Sequence, residues 1–374
     1  MQKNSNVTIG FKVKSYKKKL KRHKDAVLTI HSPDGIDGEI LLSGSADDCI
    51  KIWDLKNQRN LSRLFVNRPE EEFLLKYAID ELPNYSEDHV LNTEKALKKQ
   101  REHKNICWFW FLGEKTFTGY EDGLICCFDV QVGELISPLI GHTNRINCIC
   151  STDSDRIFSA SNDWTVRSWC ISSGTCENIY KFTDPISSIA VSLTNNIMYT
   201  ASWDKMVRVI DLEANKVTKS FLAAKEAIKV MIIHENTIFV AGCDPVIRSF
   251  NLETGESKNF EGHEGWVYCL AIHGDYLFSG GDDKTIKIWD ISTAQMVEEL
   301  RGHENGVTCL AFANNELFSG SFDYYIIWWD LNDIRNRIVE RAQMRLEDIL
   351  SRKIEVYNRT LASRKKGKKK KGKK

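Results

Sequence analysis

The chain has 374 residues, 42% of them hydrophobic, which is enough for a sizeable core and argues against disorder over most of its length. Its net charge of +1 conceals a separation: residues 1–24 and 364–374 each carry nine Lys or Arg and no acid, which leaves about −17 on residues 25–363. No apolar run approaches the ~20 residues that span a bilayer as a helix, and the 11 cysteines, an odd number without a C-x-x-C pair or a secretory-type apolar start, are expected to be reduced thiols in an intracellular compartment.

In chain order, residues 11–20 form a strand-like segment ahead of His23. Leu42-Ser43-Gly44-Ser45-Ala46-Asp47 then leads into Ile50-Lys51-Ile52-Trp53-Asp54. Residues 56–102 interrupt the pattern. Pro69-Glu70-Glu71-Glu72 is a favourable helix start, with acids at the positive end of the dipole. Phe73, Leu74, Tyr77, Ala78 and Leu82 follow at helical spacing. Pro83-Asn84 breaks the run and Ser86 caps a second helix through Leu97. A helical hairpin inserted between repeats is expected here, either packed on the rim or serving as a docking element.

Weaker copies of the first pattern end at Phe128-Asp129, Trp169-Cys170, Ile210-Asp211 and Phe250-Asn251. Two strong ones follow, Phe278-Ser279-Gly280-Gly281-Asp282-Asp283 into Trp289-Asp290 and Phe318-Ser319-Gly320-Ser321-Phe322-Asp323 into Trp329-Asp330. The copies end at 54, 129, 170, 211, 251, 290 and 330, so one interval is long and the other five are 39 to 41 residues. A fixed period of this length signals a repeat architecture. Six places before the terminal aromatic or aliphatic stands Asp47, Asp122, Asp163, Asp204, Asp244, Asp283 or Asp323, an Asp in all seven copies. Within the sixth unit, 266–273, 276–281, 285–291 and 296–300 read as four short strands separated by turns. Beyond the last repeat, Ile334, Ile338, Ala342, Leu346, Ile349 and Leu350 predict an amphipathic helix over 332–360. Residues 361–374 end in Arg364, Lys365, Lys366, Lys368, Lys369, Lys370, Lys371, Lys373 and Lys374, a low-complexity tail expected to be disordered.

These repeats resemble the WD-repeat β-propeller family from about residue 13 to 331. Gly141-His142, Gly262-His263 and Gly302-His303 stand about 20 residues before the Asp, as in that family, while His23 and His103 keep only the His. The resemblance implies an all-β fold, one seven-bladed propeller over 1–331, closed by residues 11–20 as the missing outer strand of the last blade. It also implies a hydrogen-bonded set in each blade of His, Ser or Thr (Ser43, Thr118, Ser159, Thr200, Ser279, Ser319), turn Asp and Trp (Trp53, Trp169, Trp289, Trp329). Phe182 replaces the His in blade four, and blade five lacks His, Ser and Trp, so weaker networks are expected in both.

Family members recognise partners on the narrow top face. Carried over by position, the residues before each turn Asp are Ala46, Glu121, Asn162, Trp203, Cys243, Asp282 and Phe322. Those opening the inner strands include Ala26, Arg145, Pro185, Ala227, Trp266 and Gly306. Trp203, Trp266, Phe322 and Arg145 are the residue types that dominate binding hot spots, and Glu121 and Asp282 offer contacts to a basic peptide.

No phosphate-cradling glycine loop, H-E-x-x-H or G-x-S-x-G motif occurs, and the repeat accounts for most of the histidines and all seven turn aspartates. No enzyme activity, cofactor or metal is therefore expected. Cys148, Cys269 and Cys309 fall at equivalent strand positions, as small buried hydrophobes do. Adjacent Cys126 and Cys127 point to opposite faces of a strand and make no chelating pair. The expected function is a protein-binding scaffold for a multiprotein complex, in the cytoplasm. Alternatives are an RNA-associated or ribosome-assembly factor, in the nucleus, and a cytoskeletal or ciliary component. The lysine tail is suited to a polyanion such as RNA, acidic tubulin tails or anionic lipid. A cullin-type substrate receptor is disfavoured, because none of Lys56, Gln131, Ser172, Glu213, Glu253, Ser292 and Asn332 is an Arg two places after the repeat end.

Overall fold

Short runs of β-branched and aromatic residues, punctuated by turns rich in Asp, Asn and Gly, bury themselves only by pairing and stacking as sheets. The computed structural model describes residues 16–21, 23–32, 40–47, 49–57, 59–65, 106–113, 115–129, 135–151, 155–192 and 196–344, together with 347, 350, 351, 353 and 354. Within these lie seven four-stranded antiparallel sheets, the blades of a seven-bladed β-propeller. Blade six comprises Val267–His273, Tyr276–Gly281, Thr285–Asp290 and Met296–Arg301. These bounds lie within a residue of those read from the sequence.

The three last propeller strands are Val307–Ala313, Glu316–Ser321 and Tyr325–Trp329. Their fourth partner comes from the other end of the chain, where Tyr16–Lys21 pairs antiparallel with Tyr325–Trp329. This closes the ring and removes a sheet edge that would otherwise be open to pairing with other chains.

Blade one requires a correction to the insertion read over 56–102. Arg59–Phe65 is that blade's outer strand, with Lys51 opposite Arg63 and Ile52 opposite Ser62. The Trp-Asp of a repeat ends only the third strand, so a fourth must follow before any insertion can begin. The two helices expected over 69–82 and 86–97 lie outside the described residues, as does His103.

The core lies between blades. Phe239, Ile247 and Phe260 of blade five pack with Val267, Leu277 and Trp289 of blade six. The repeated glycine has a steric reason at this interface. A Cβ on Gly280 would lie 2.6 Å from Val307 of the next blade, and one on Gly320 would lie 2.6 Å from Val27 of blade one. Blades three, four and five carry Ala160, Ala201 and Ala241 at this position, all buried. The cysteines stitch the same seam: the thiols of Cys148, Cys269 and Cys309 donate to Ile189, Val307 and Val27 carbonyls of the following blade at 3.6 to 3.9 Å. Cys126 and Cys127 enter different hydrophobic clusters, on opposite faces of their strand.

The second compact unit begins at Asp330 and carries a helix over 331–344. Asp330 caps it, its carboxylate accepting the Asn332 and Asp333 N–H groups at 3.0 and 3.2 Å. Of the apolar stripe read from the sequence, Ile334 and Ile338 are buried, while Ala342 and Leu350 are exposed. Val339, Met344 and Ile354 are also exposed. Residues 355–374, with the lysine tail, lie outside the described residues.

Candidate binding face of the propeller

Each turn Asp is held from inside its blade. In blade six the Trp289 indole N–H donates to Ser279 Oγ at 2.8 Å, and Ser279 Oγ lies 2.7 Å from His263 Nε2. With the Ser hydroxyl hydrogen directed to Nε2, the imidazole's Nδ1–H is the donor to Asp283 Oδ2, at 2.7 Å. The Asp283 carboxylate also accepts the Glu264 and Thr285 backbone N–H groups. The same linkage joins His23, Ser43, Asp47 and Trp53, His142, Ser159, Asp163 and Trp169, and His303, Ser319, Asp323 and Trp329.

Burial on its own would raise these carboxyls. The hydrogen bonds from the facing His and from backbone N–H groups outweigh it and hold Asp47 and Asp163 down at about 2. Asp283 and Asp323 are lowered by the same causes. Burial pushes the His142 imidazole down as well, so it favours the neutral form.

The other three blades depart from this pattern. In blade two, Asp122 Oδ1 accepts the Leu124 N–H at 3.0 Å and Thr118 donates to the Cys126 carbonyl. In blade four, Arg208 donates to Asp204 Oδ2 at 2.5 Å, and its guanidinium stacks 5.5 Å from the ring of Phe182, the residue at the His position. In blade five, Arg248 donates to Asp244 Oδ2 at 2.6 Å. The networks expected to be weaker there are replaced by ion pairs four residues along the strand. Thr200 has no part in blade four's pair: its buried hydroxyl has no hydrogen-bond partner among the described residues.

These supports position the face. In six blades the residue before the turn Asp donates its N–H to the carbonyl of the residue opening the inner strand. Ala46 pairs with Ala26, Asn162 with Arg145, Trp203 with Pro185, Cys243 with Ala227, Asp282 with Trp266 and Phe322 with Gly306, at 2.8 to 3.1 Å. The two sets read from the sequence are therefore joined residue to residue at one end of the blades.

Their side chains divide into two groups. Arg145 pairs with Glu121 at 3.4 Å, and Asn162 accepts from Asn147 at 2.7 Å, so these residues satisfy one another. Trp203, Trp266 and Phe322 instead remain 43%, 47% and 36% exposed. They gather around two residues that the sequence reading missed, Lys229 and Tyr268. The Lys229 ammonium lies 5.1 to 5.9 Å from the ring centroids of Trp203, Trp266 and Tyr268. Tyr268 makes edge contacts with Trp266 and Phe322 and donates its hydroxyl to Asp282 Oδ1 at 3.0 Å. Burial, then the Asp282 hydrogen bond and charge, push its phenol up to about 12, so it remains a donor.

Both missed residues occupy a β-bulge that recurs in every inner strand, at Leu28, Cys107, Asn147, Ser187, Lys229, Tyr268 and Thr308. A bulge re-aims the extra side chain out of the pleat. The signal was available as the residue two places after each inner-strand opening. Trp164 and Tyr324 were also missed; both are exposed, with left-handed backbone at φ 67° and 70° directly after the turn Asp. Among the described residues no group of three His, Cys, Asp or Glu side chains is arranged to hold a metal.

Comparison with known proteins agrees with this architecture. The chain is 22% identical to autophagy-related protein 16 of Arabidopsis thaliana over 73% of its own length and 51% of that protein's. It is 25% identical to nuclear distribution protein nudF of Emericella nidulans, covering 42% of each chain. It is also 25% identical to the U3 small nucleolar RNA-associated protein 15 homolog of Xenopus laevis, over 50% of this chain and 37% of that one. It thus spans about half or less of these relatives' lengths. The WD domain, G-beta repeat family matches residues 14–54, 133–170, 174–211, 255–290 and 294–330. Members of that family generally act as interaction scaffolds and bind other proteins. With five matched repeats in a ring of seven blades, the chain belongs to the WD-repeat β-propeller family.

Proposed function

We propose that this protein is a non-catalytic cytoplasmic scaffold that assembles a multiprotein complex by gripping a short segment of a partner at the face of Trp203, Trp266 and Phe322. The observation that carries the reading is the clustering of three large aromatic side chains, each more than a third exposed, on a rigid ring. Exposed aromatic surface of this kind is costly in water unless a partner covers it, and Trp is the residue type that most often anchors an interface. Affinity purification of the intact chain, with Trp266→Ala and Phe322→Ala as comparisons, tests the assignment. Loss of at least one captured partner is expected. Capture of every partner at unchanged yield by both variants would refute it.

The second reading, an RNA-associated factor, draws on the nine cations of residues 364–374 and on the relative named for a small nucleolar RNA. It predicts an affinity for RNA that falls steeply with salt, by roughly one unit of log slope per phosphate contacted, and that is lost on removing the tail.

A further inference from the structure

The aromatic cluster surrounds a charge, and that charge selects the chemistry of the partner. Lys229 stands at the bulge of blade five's inner strand, Ile228–His234, with its ammonium 5.7 Å from the Trp203 ring centroid, 5.1 Å from Trp266 and 5.9 Å from Tyr268. Contacts of this kind hold the long side chain in one place. The rings supply no counter-charge. Among the described residues Lys229 forms no ion pair with a carboxylate. Glu226, three residues earlier, pairs with Lys205 at 3.5 Å, and Asp282 accepts from Tyr268.

We infer that Lys229 is the anchor for a partner's carboxylate, and that the segment bound at this face carries an acidic residue flanked by apolar or aromatic side chains. The inference rests on the reading of this face as the partner-binding surface. An incoming ammonium or guanidinium would have to expel Lys229 from rings it already occupies, because two cations sharing the same ring faces repel each other. An incoming carboxylate meets three N–H donors already held in position, and charge-assisted hydrogen bonds are about twice as strong as neutral ones. The exposed parts of Trp203, Trp266 and Phe322 then take the flanking apolar groups. Water displaced from those rings adds apolar burial to the ion pair, which an isolated surface pair lacks.

The test uses the full chain and a defined set of labelled heptapeptides, each with Glu, Gln or Lys at its centre and Leu, Val, Phe or Trp on either side. Binding is read by fluorescence anisotropy. The Glu-centred peptides are expected to bind at least ~tenfold more tightly than their Gln counterparts, one such step in Kd being the scale of a single charge-assisted contact. Lys-centred peptides are expected to bind more weakly still. Because the decisive comparison lies in the peptide, it does not depend on a protein variant folding. Lys229→Met should abolish the preference for Glu over Gln, and Lys229→Arg should retain it. Equal binding of Glu and Gln peptides, tighter binding of Lys peptides, or no binding by any peptide overturns the inference. If no peptide binds while Trp266→Ala still releases a captured partner, the binding face stands and its acidic selectivity fails. If the Glu preference depends on Lys229 while neither aromatic variant releases any partner, the carboxylate site stands and the scaffold reading of this face fails.

Discussion

Two buried hydroxyls at the same place in different repeats should respond oppositely to removal. Ser279 Oγ in blade six accepts the Trp289 N–H at 2.8 Å and lies 2.7 Å from His263 Nε2, and all three side chains are buried. Ser279→Ala leaves an indole N–H and an imidazole nitrogen without partners, away from water. Each such orphan costs about 1–3 kcal/mol, so a total near 3 kcal/mol is expected. Thr200 in blade four is equally buried, but its hydroxyl has no partner among the described residues, because Phe182 stands at the His position and Ile210 at the Trp position. Thr200→Val preserves the shape and removes an unsatisfied group, so it should be neutral or stabilising by about 1 kcal/mol. A chain of seven repeats is not assured of two-state unfolding, so the assay is native-state hydrogen exchange resolved by blade. Ser279→Ala should accelerate exchange of the strand Tyr276–Gly281 by about a hundredfold, with Thr200→Val leaving Ile197–Ser202 unchanged or slower. Equal effects in the two blades would refute the reasoning, since burial without hydrogen bonding would then explain both.

Arg208→Met should destabilise blade four by about 3 kcal/mol in the same blade-resolved hydrogen exchange, because it strands the Asp204 carboxylate in a part-buried site. Adding Asp204→Asn should recover part of that loss, and a double variant no more stable than the single one would contradict the pair's role. The turn aspartates also set an acid limit. Asp47 and Asp163, at about 2 in the folded state against an ordinary 3.8, contribute stability that is complete above about pH 4 and lost as pH falls through 2. The lowered His142 acts with the same sign from its ordinary 6.5 downward, since the unfolded chain takes up its proton more readily. Tryptophan fluorescence from pH 7 to 2 should therefore show the main unfolding between about 4 and 2. A profile flat to pH 2, or one unchanged by Asp47→Asn with Asp163→Asn, would overturn this.

Much of the fold was legible because a propeller blade is specified by local residues repeated at a fixed spacing. The Asp-to-Trp interval of six places held even in blades four and five, where Trp is replaced by Ile210 and Phe250. Blade one's outer strand, Arg59–Phe65, was not legible as such, because the outer strands carry little repeated sequence. The compensation by Arg208 and Arg248 was also missed. An Arg four residues after the Asp on a strand reads as an ordinary solvated charge until the missing His leaves a carboxylate to be paired.

The sequence by itself determined the number of blades, the closure by the N-terminal strand and the residues that support the turns of the four blades that keep His, Ser and Trp, because these rest on a repeated pattern and on hydrogen-bonding groups that burial obliges to pair. It also marked Trp203, Trp266 and Phe322 as candidates one by one. Only the tertiary structure decided that these three form one patch, that Arg145 and Glu121 pair with each other, and that Lys229 stands among the rings without a counter-ion among the described residues. Those relations join residues up to 119 positions apart, from Trp203 to Phe322, and they depend on how bulged inner strands of adjacent blades converge. No pattern within a single repeat carries that information.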